Sequence, residues 1–544
     1  MRSLMRQNNV QKNEQNNKKN HEQSNQRLKT RLEMIGAAAF WLLLWQFAAV
    51  FMGNDILLVG PLEMLSALFQ LFSEPTFWHS IGNSFLRIGA GFLLAAGTGV
   101  FLGACAYRFS LLRTLLSPPV SLMKSIPVAS FVILAIIWLG GTKNLSIFVS
   151  FVVVFPMTYL NTISGLLSTD RKLLEMSEVF RISAWKKWRF IYIPALLPYL
   201  FACFRISLGM AWKSGVAAEL IGQPANTIGN SLYQAKIFLD TPALFAWTFT
   251  IIVISLLFEK AVLLALRLAS TERRESRRTE EQVKKIEKQD NTEKWNHAEK
   301  QNRTEMLKNL EKLPKPGIAE NSGEAGFCAV RWDGISQSFG DVNVFHDFSG
   351  RMEAPGVYAL SGESGSGKTT FFRMLLGLQR PDRGIISWTG ICSETMKRPP
   401  CAAVFQEDRL CEQASAADNV LLCMRKGSAG REQLRKKVRE ELRFLLPEEC
   451  LDKPVGKLSG GQKRRVALVR AMLAPETKAV FLDEPFTGLD EETKQLAIRY
   501  VQARLGERLL VLATHDAADR SAFSVREEHV IRIAEQTEMQ TEVK

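Results

Sequence analysis

Apolar residues come in long uninterrupted runs in the first half of the chain and in short ones in the second. Six runs, near 34–52, 84–107, 118–139, 145–166, 195–215 and 244–268, are each about twenty residues long. At ~1.5 Å rise per residue this suffices to cross a hydrocarbon core of ~30 Å. The pattern predicts an all-α transmembrane domain of six helices over 32–270. The first run follows a basic stretch, as the apolar core of a secretory leader would. It is long for that and lacks a small-x-small cleavage site, so the expectation is a retained first span. Residues 1–31, rich in Asn, Gln, Lys and Arg, predict a disordered basic cytosolic tail, and 271–326 a charged linker, with Pro314 and Pro316 near its end. From 327 to 535 the texture changes. Short runs such as Ala479–Leu482 and Leu509–Ala513 predict buried parallel strands, and amphipathic stretches such as 432–446 predict helices around them. Residues 536–544 form a tail. The fold class is thus an all-α membrane domain followed by a soluble α/β domain.

Charge orients the spans. The formal net charge is +14, which raises the question of nucleic acid. The segment 53–83 holds Asp55, Glu63 and Glu74 but no Lys or Arg. The loop 167–191 holds Arg171, Lys172, Arg181, Lys186, Lys187 and Arg189, and Arg267, Arg273, Arg274, Arg277 and Arg278 follow the last run. Positive residues collect on the cytosolic side of membrane helices, so both chain ends and the 167–191 loop are expected in the cytosol. This distribution argues for lipid, and against nucleic acid, as the partner of the basic residues. Eight cysteines, at 105, 203, 328, 392, 401, 411, 423 and 450, show no C-x-x-C pair and no grouping with histidine. They read as thiols in a reducing cytosol rather than disulfides or a zinc site.

One stretch of the soluble half carries chemistry on its own: Gly362-Glu363-Ser364-Gly365-Ser366-Gly367-Lys368-Thr369, followed by Thr370. Glycines let the backbone turn successive N–H groups toward one anion, and a helix N-terminus behind them adds its positive dipole end. The apolar run 357–360 before it and 371–376 after it supply the strand and the helix this needs. Lys368 would reach the β- and γ-phosphates of a nucleotide, and Thr369 would place its hydroxyl on Mg²⁺.

Four further features follow: Gln406 after a short apolar strand, Leu458-Ser459-Gly460-Gly461-Gln462 opening a helix, Asp483-Glu484-Pro485 ending a strand, and His515 ending another. Together with the phosphate loop they resemble the ATP-binding cassette (ABC) ATPases, over essentially all of 327–535, in order and spacing. The resemblance implies roles. Asp483, Thr369 and Gln406 would serve Mg²⁺, and Glu484 would be the general base for the attacking water. His515 would contact the γ-phosphate, and Phe339 would stack on adenine rather than fill a core. Ser459, Gly460, Gly461 and Gln462 would close over ATP bound to an opposite cassette, which implies a dimer with a second copy or a related chain. Cys411-Glu412-Gln413-Ala414 departs from the more apolar stretch usual after the Gln loop.

The loop 167–191 bears on direction of transport. Glu175-Met176-Ser177, Arg181 and Ile191-Tyr192-Ile193-Pro194 fall at the spacing of the cytosolic E-A-A…G…I-x-L-P loop of bacterial ABC import permeases, with Arg181 where that family has glycine. A different turn is therefore expected, because a left-handed backbone costs arginine more than glycine. A short helix over 170–181 is expected to dock beside Gln406. The wider region 55–268 resembles permeases of the nitrate, sulfonate and taurine type, which include relatives handling thiamine precursors; Ser125–Phe131, Gly209–Lys213 and Ala217–Gly222 support this. It implies a type I importer fold and an extracytoplasmic solute-binding protein. Among the polar residues in or near the spans, Arg87, Lys124, Arg205 and Lys213, the last two are candidates to border an anion's path, with structural pairing or snorkelling as the alternative. A half-exporter and a membrane-anchored regulatory ATPase are the rival functions.

Overall fold

The computed structural model describes Lys29 and residues 33–269 and 329–533, excepting 38, 55–56, 341, 364, 390–394, 397–399 and 425–429. The expected tails and linker, Asp55, Ser364, Cys328, Cys392 and the basic residues after 270 lie outside the described residues, Lys29 aside. The chain divides into two compact units, residues 1–164 with 199–269, and residues 165–198 with 270–544.

The first unit is helical. Its elements are α1 (Glu33–Met52), α2 (Pro61–Phe72), α3 (Pro75–Arg108), α4 (Ser110–Ser125), α5 (Val128–Leu139), α6 (Leu145–Leu167), α9 (Ile193–Gly222), α10 (Ile228–Ile237) and α11 (Thr241–Ala269). Among the described residues five stretches are long and apolar enough to cross a membrane: Glu33–Met52, Pro75–Arg108, Leu145–Leu167, Ala184–Gly222 and Thr241–Leu264. The third predicted run differs from a single straight span. It is the pair α4 and α5, bent by 114° at its break. Proline disfavours the helical region for the residue before it, and Ile126, ahead of Pro127, is extended at φ −75° and ψ 124°. Counting the pair as one span gives six. Where α3 crosses α6 the backbones come close. A Cβ at Gly99 would lie 2.8 Å from Thr158 Cβ, and one at Gly103 at 2.8 Å from Thr162 Cβ, the small-residue contact by which membrane helices pack. Phe77, Phe92, Phe204, Trp212 and Phe258 fill the core beside them.

The second unit joins α7 (Arg171–Val179), α8 (Ala184–Lys187) and a π-helical turn (Trp188–Tyr192) to an α/β domain. Strands β1 (Ala329–Phe339), β2 (Val342–Glu353), β4 (Arg383–Thr389) and β5 (Thr395–Met396) form an antiparallel sheet in the order β2-β1-β4-β5. Strands β3 (Gly356–Ser361), β6 (Cys401–Val404), β7 (Ala479–Asp483), β8 (Leu509–Ala513) and β9 (Val530–Arg532) form a parallel sheet in the order β6-β7-β8-β3-β9. Every residue of β6, β7 and β8 is buried, as near-continuous apolar runs covered on both faces should be. Helices α12 (Lys368–Leu375), α13 (Ala416–Cys423), α14 (Arg431–Leu442), α15 (Gly460–Leu473), α16 (Glu491–Leu505) and α17 (Ala517–Ala522) complete the unit. The six described cysteines form no disulfide, and burial pushes the Cys411 thiol up to about 11 and Cys423 to about 12.

Candidate active site and its membrane-facing contact

The loop after β3 turns on two left-handed glycines, Gly365 at φ 91° and Gly367 at φ 98°. Gly367 caps the N-terminus of α12. A Cβ there would lie 2.3 Å from Val344 Cγ1, so no larger residue closes this turn. Lys368 folds back on the loop, its Nζ donating to the carbonyls of Gly362 at 2.7 Å and Glu363 at 2.6 Å. Burial pulls its pKa down, against the raising pull of Glu484 and Asp483. Ser366 Oγ is buried with no hydrogen-bond partner among the described residues. An orphan hydroxyl beside an ammonium at a helix N-terminus suits a polyanion. Thr370 sits half-buried in the first turn of α12.

Asp483 ends β7 and pairs in register with Ala513, which ends β8. The residues that follow each strand are therefore neighbours. Thr369 Oγ1 donates to Asp483 Oδ2 at 3.4 Å, across 114 positions of sequence. Burial, and then the adjacent Glu484 charge, push the Asp483 carboxyl up to about 6. A hydroxyl and a carboxylate that resists ionising alone form an oxygen donor set suited to Mg²⁺. Glu484 has its backbone in the left-handed region at φ 45°, with its N–H donating to Ala513 O at 2.9 Å. Its Oε1 lies 3.2 Å from His515 Nε2.

Gln406 follows β6 and is exposed. It lines a cleft of about 180 Å³ with Thr369, Asp483, Arg373 and Arg409. Phe339 ends β1 with 51% of its surface exposed, so it is not a core side chain. Asp382 braces the strand beside it, accepting from Ser338 N at 2.9 Å and Gln337 Nε2 at 3.0 Å. Ser459 and Gln462 cap α15 reciprocally. Gln462 N donates to Ser459 Oγ at 3.3 Å and Ser459 N to Gln462 Oε1 at 3.0 Å. Ser459 and Gly460 are exposed, and Gly461 and Gln462 are half-buried.

Helix α7 packs on this same unit. Asp170 caps it, accepting from Lys172 N at 2.8 Å. Met176, Val179, Phe180, Ile182 and Ile191 are buried in one cluster with the α/β core. Glu175 is held by Arg373 through two parallel bonds of 2.8 and 2.9 Å and by Arg409 at 2.9 Å. The Arg373 hydrogen bond is the main cause that holds its carboxyl below the ordinary value, with burial opposing. Arg373 lies on α12, one turn beyond Thr369. Ile193 and Pro194 begin α9. At Arg181 the expectation of a different turn is overturned. Its φ is 50°, so arginine takes the left-handed conformation that glycine would, and the buried residues on both sides hold it there. Arg205 and Lys213 lie on the exposed side of α9, with no hydrogen bond or ion pair to other described residues. Both belong to the first unit, whereas the loop after β3 belongs to the second.

Sequence reading did not single out Arg373, Arg409, Arg464 or Arg470. Arg464 Nη1 and Nη2 donate to the carbonyls of Phe405 and Gln406, both at 2.6 Å. Arg470 donates to those of Arg409 and Asp408 at 2.8 and 3.0 Å. The available signal was Arg464 and Arg470 flanking the apolar run Val466–Val469 on one helix.

Residues 345–487 match the family model described as ABC transporter. Residues 95–268 match that of the binding-protein-dependent transport system inner membrane component. The chain is 34% identical over 203 residues, 37% of this chain and 58% of the relative, to the sulfate/thiosulfate import ATP-binding protein CysA of Nephroselmis olivacea. It is 34% identical over 188 residues, 33% of this chain and 60% of the relative, to the Nod factor export ATP-binding protein I of Burkholderia lata. Over 205 residues, 38% of this chain and 83% of the relative, it is 29% identical to the probable ABC transporter permease protein BMEII0107 of Brucella melitensis biotype 1. The chain thus spans rather more than half the length of these cassette relatives. One polypeptide joins a permease domain to an ABC ATPase domain.

Proposed function

We propose that the chain is the fused permease–ATPase subunit of an ATP-driven importer, working as a dimer with an extracytoplasmic solute-binding protein. The observation that carries this reading is Glu175 of the 165–198 segment, locked by two bonds to Arg373 on the helix that begins at the phosphate loop. A change at Lys368 and Thr369 then reaches the membrane segment through one turn of helix.

In this reading the loop 362–369 and Lys368 bind the ATP phosphates, with Phe339 against the base. Thr369, Asp483 and Gln406 hold Mg²⁺, which when bound neutralises phosphate charge. Glu484 takes the proton of the attacking water, and His515, 3.2 Å from it, orients the glutamate and the γ-phosphate. The exposed Ser459–Gln462 cap meets the nucleotide of the second copy. Arg205 and Lys213 border the solute path, since two exposed cations along a membrane span favour water over lipid. Both chain ends face the cytosol. The solute class is a small anion such as a sulfonate, nitrate or taurine, or a thiamine-precursor pyrimidine.

The cassette relatives named above include an import and an export protein, so the cassette alone does not choose a direction. The permease match favours import. The test is ATPase activity of the full chain in liposomes with candidate binding proteins and solutes. Stimulation by one loaded binding protein is expected, with Glu484→Gln lowering turnover by about 10² or more. Hydrolysis that no binding protein alters would favour export or a regulatory ATPase.

A further inference from the structure

The membrane segment touches the cassette at a second, separate point. Lys186, in α8, sends its ammonium to the end of α13, donating to the carbonyls of Leu421 at 2.9 Å, Leu422 at 3.1 Å and Met424 at 2.6 Å. Helix α13 ends at Cys423 with Met424 as its C-cap. The last carbonyls of a helix carry its negative dipole end; Leu421 O already accepts from Met424 N at 3.3 Å, and a cation with three donors complements the whole helix end. The two contacts fall on different parts of the cassette. Glu175 is held by α12, behind the phosphate loop, and by Arg409 after the Gln406 turn. Lys186 caps α13, which packs on α15, the helix opened by Ser459-Gly460-Gly461-Gln462. Phe180 lies between them, with the Arg470 guanidinium of α15 5.0 Å from its ring centroid.

The chain connections give the second contact its importance. Glu175 is separated from the membrane span by the turn at Arg181. Lys186 is not: α8, the π turn and α9 run on as one apolar helical stretch, Ala184–Gly222. We propose that Lys186 is a positioning residue of the ATP-driven cycle. By capping α13 it ties the start of that span to the signature-bearing part of the cassette, so any shift of α15 against α12 is delivered to a membrane helix. This rests on the transport reading.

The test uses the full chain in liposomes with Glu484→Gln, to hold bound ATP, and Met210→Cys on the exposed side of α9. Maleimide labelling at position 210 is read by peptide mass spectrometry, with and without Mg-ATP. The parent is expected to change its labelling rate by about threefold or more on adding Mg-ATP. Adding Lys186→Met should abolish that change while ATP affinity stays within about twofold, and Lys186→Arg, which keeps a donor cation, should restore much of it. A full ATP-dependent change in Lys186→Met would overturn the inference alone. So would loss of ATP binding in that variant, which would mark the lysine as a fold-stabilising contact only. No ATP-dependent change in the parent would sink the transport reading itself, and this inference with it.

Discussion

In the membrane unit buried hydroxyls bond both within their own helix and to neighbouring helices, whereas in the cassette two buried arginines reach across to a loop. Thr158, Thr162 and Thr250 each donate to the carbonyl four residues back. Ser150 Oγ of α6 instead donates to Ala211 O of α9 at 3.3 Å, and the largest junction is at Glu219, fully buried in α9. It accepts from Ser84 Oγ of α3 at 2.6 Å, Ser146 Oγ of α6 at 3.0 Å and Gly229 N of α10 at 3.3 Å. In the cassette the buried cations Arg464 and Arg470 hold the carbonyls of Phe405, Gln406, Asp408 and Arg409, a turn with no regular structure of its own. Without water, a membrane helix must satisfy its polar groups locally or through a knot that joins several helices at once. A soluble domain can hang a loop on side chains and still move it. Rigidity and mobility are thus assigned by different bonds in the two units.

The largest effect should come from cutting the membrane knot. Glu219→Leu removes one acceptor from three donors, and a cost of ~3 kcal/mol or more is expected, with Glu219→Gln closer to wild type. Thermal unfolding in detergent checks this, and equal midpoints for Leu and Gln would show that the carboxylate joins nothing. A smaller effect tests the cassette through pH. Asp483 titrates at about 6, above its ordinary value, so its contribution to the ligand-free fold is present at low pH and lost as pH rises through about 6. In the proposed function Mg²⁺ binding needs the ionised form. Mg-ATP affinity should therefore fall by about tenfold per unit below pH 6, a slope missing from Asp483→Asn and measurable by nucleotide titration. The smallest effect concerns the turn between the two contacts. Arg181→Gly removes a left-handed arginine and should stabilise the full chain by about 1 kcal/mol. A lowered melting point would show that the side chain matters more than its backbone.

Much of the cassette is readable in the sequence, because β7 and β8 are apolar runs that end in chemistry-bearing residues, and their parallel register forces Glu484 and His515 together. The membrane spans are readable from run length. The bend between α4 and α5 was signalled by Pro127, but the apolar residues on both sides of it read as one run. Docking of the 170–181 helix beside Gln406 was expected from the spacing, but the individual partners of the 165–198 segment were not readable. Arg373 lies 198 positions from Glu175 and the carbonyls capped by Lys186 lie 235 or more away, and main-chain carbonyls leave no mark in a sequence. Glu219 was visible as an acidic residue in an apolar run, but its three partners come from three different helices.

The left-handed backbone of Glu484 has a consequence for anyone selecting stable versions of this chain. A glutamate at φ 45° is held there by its neighbours, and glycine or asparagine would relax at the same position at lower conformational cost. Selection on heat resistance alone should therefore enrich replacements at 484 that survive heating and, on the proposed function, no longer hydrolyse ATP, so a stability screen of this chain calls for an activity screen in parallel.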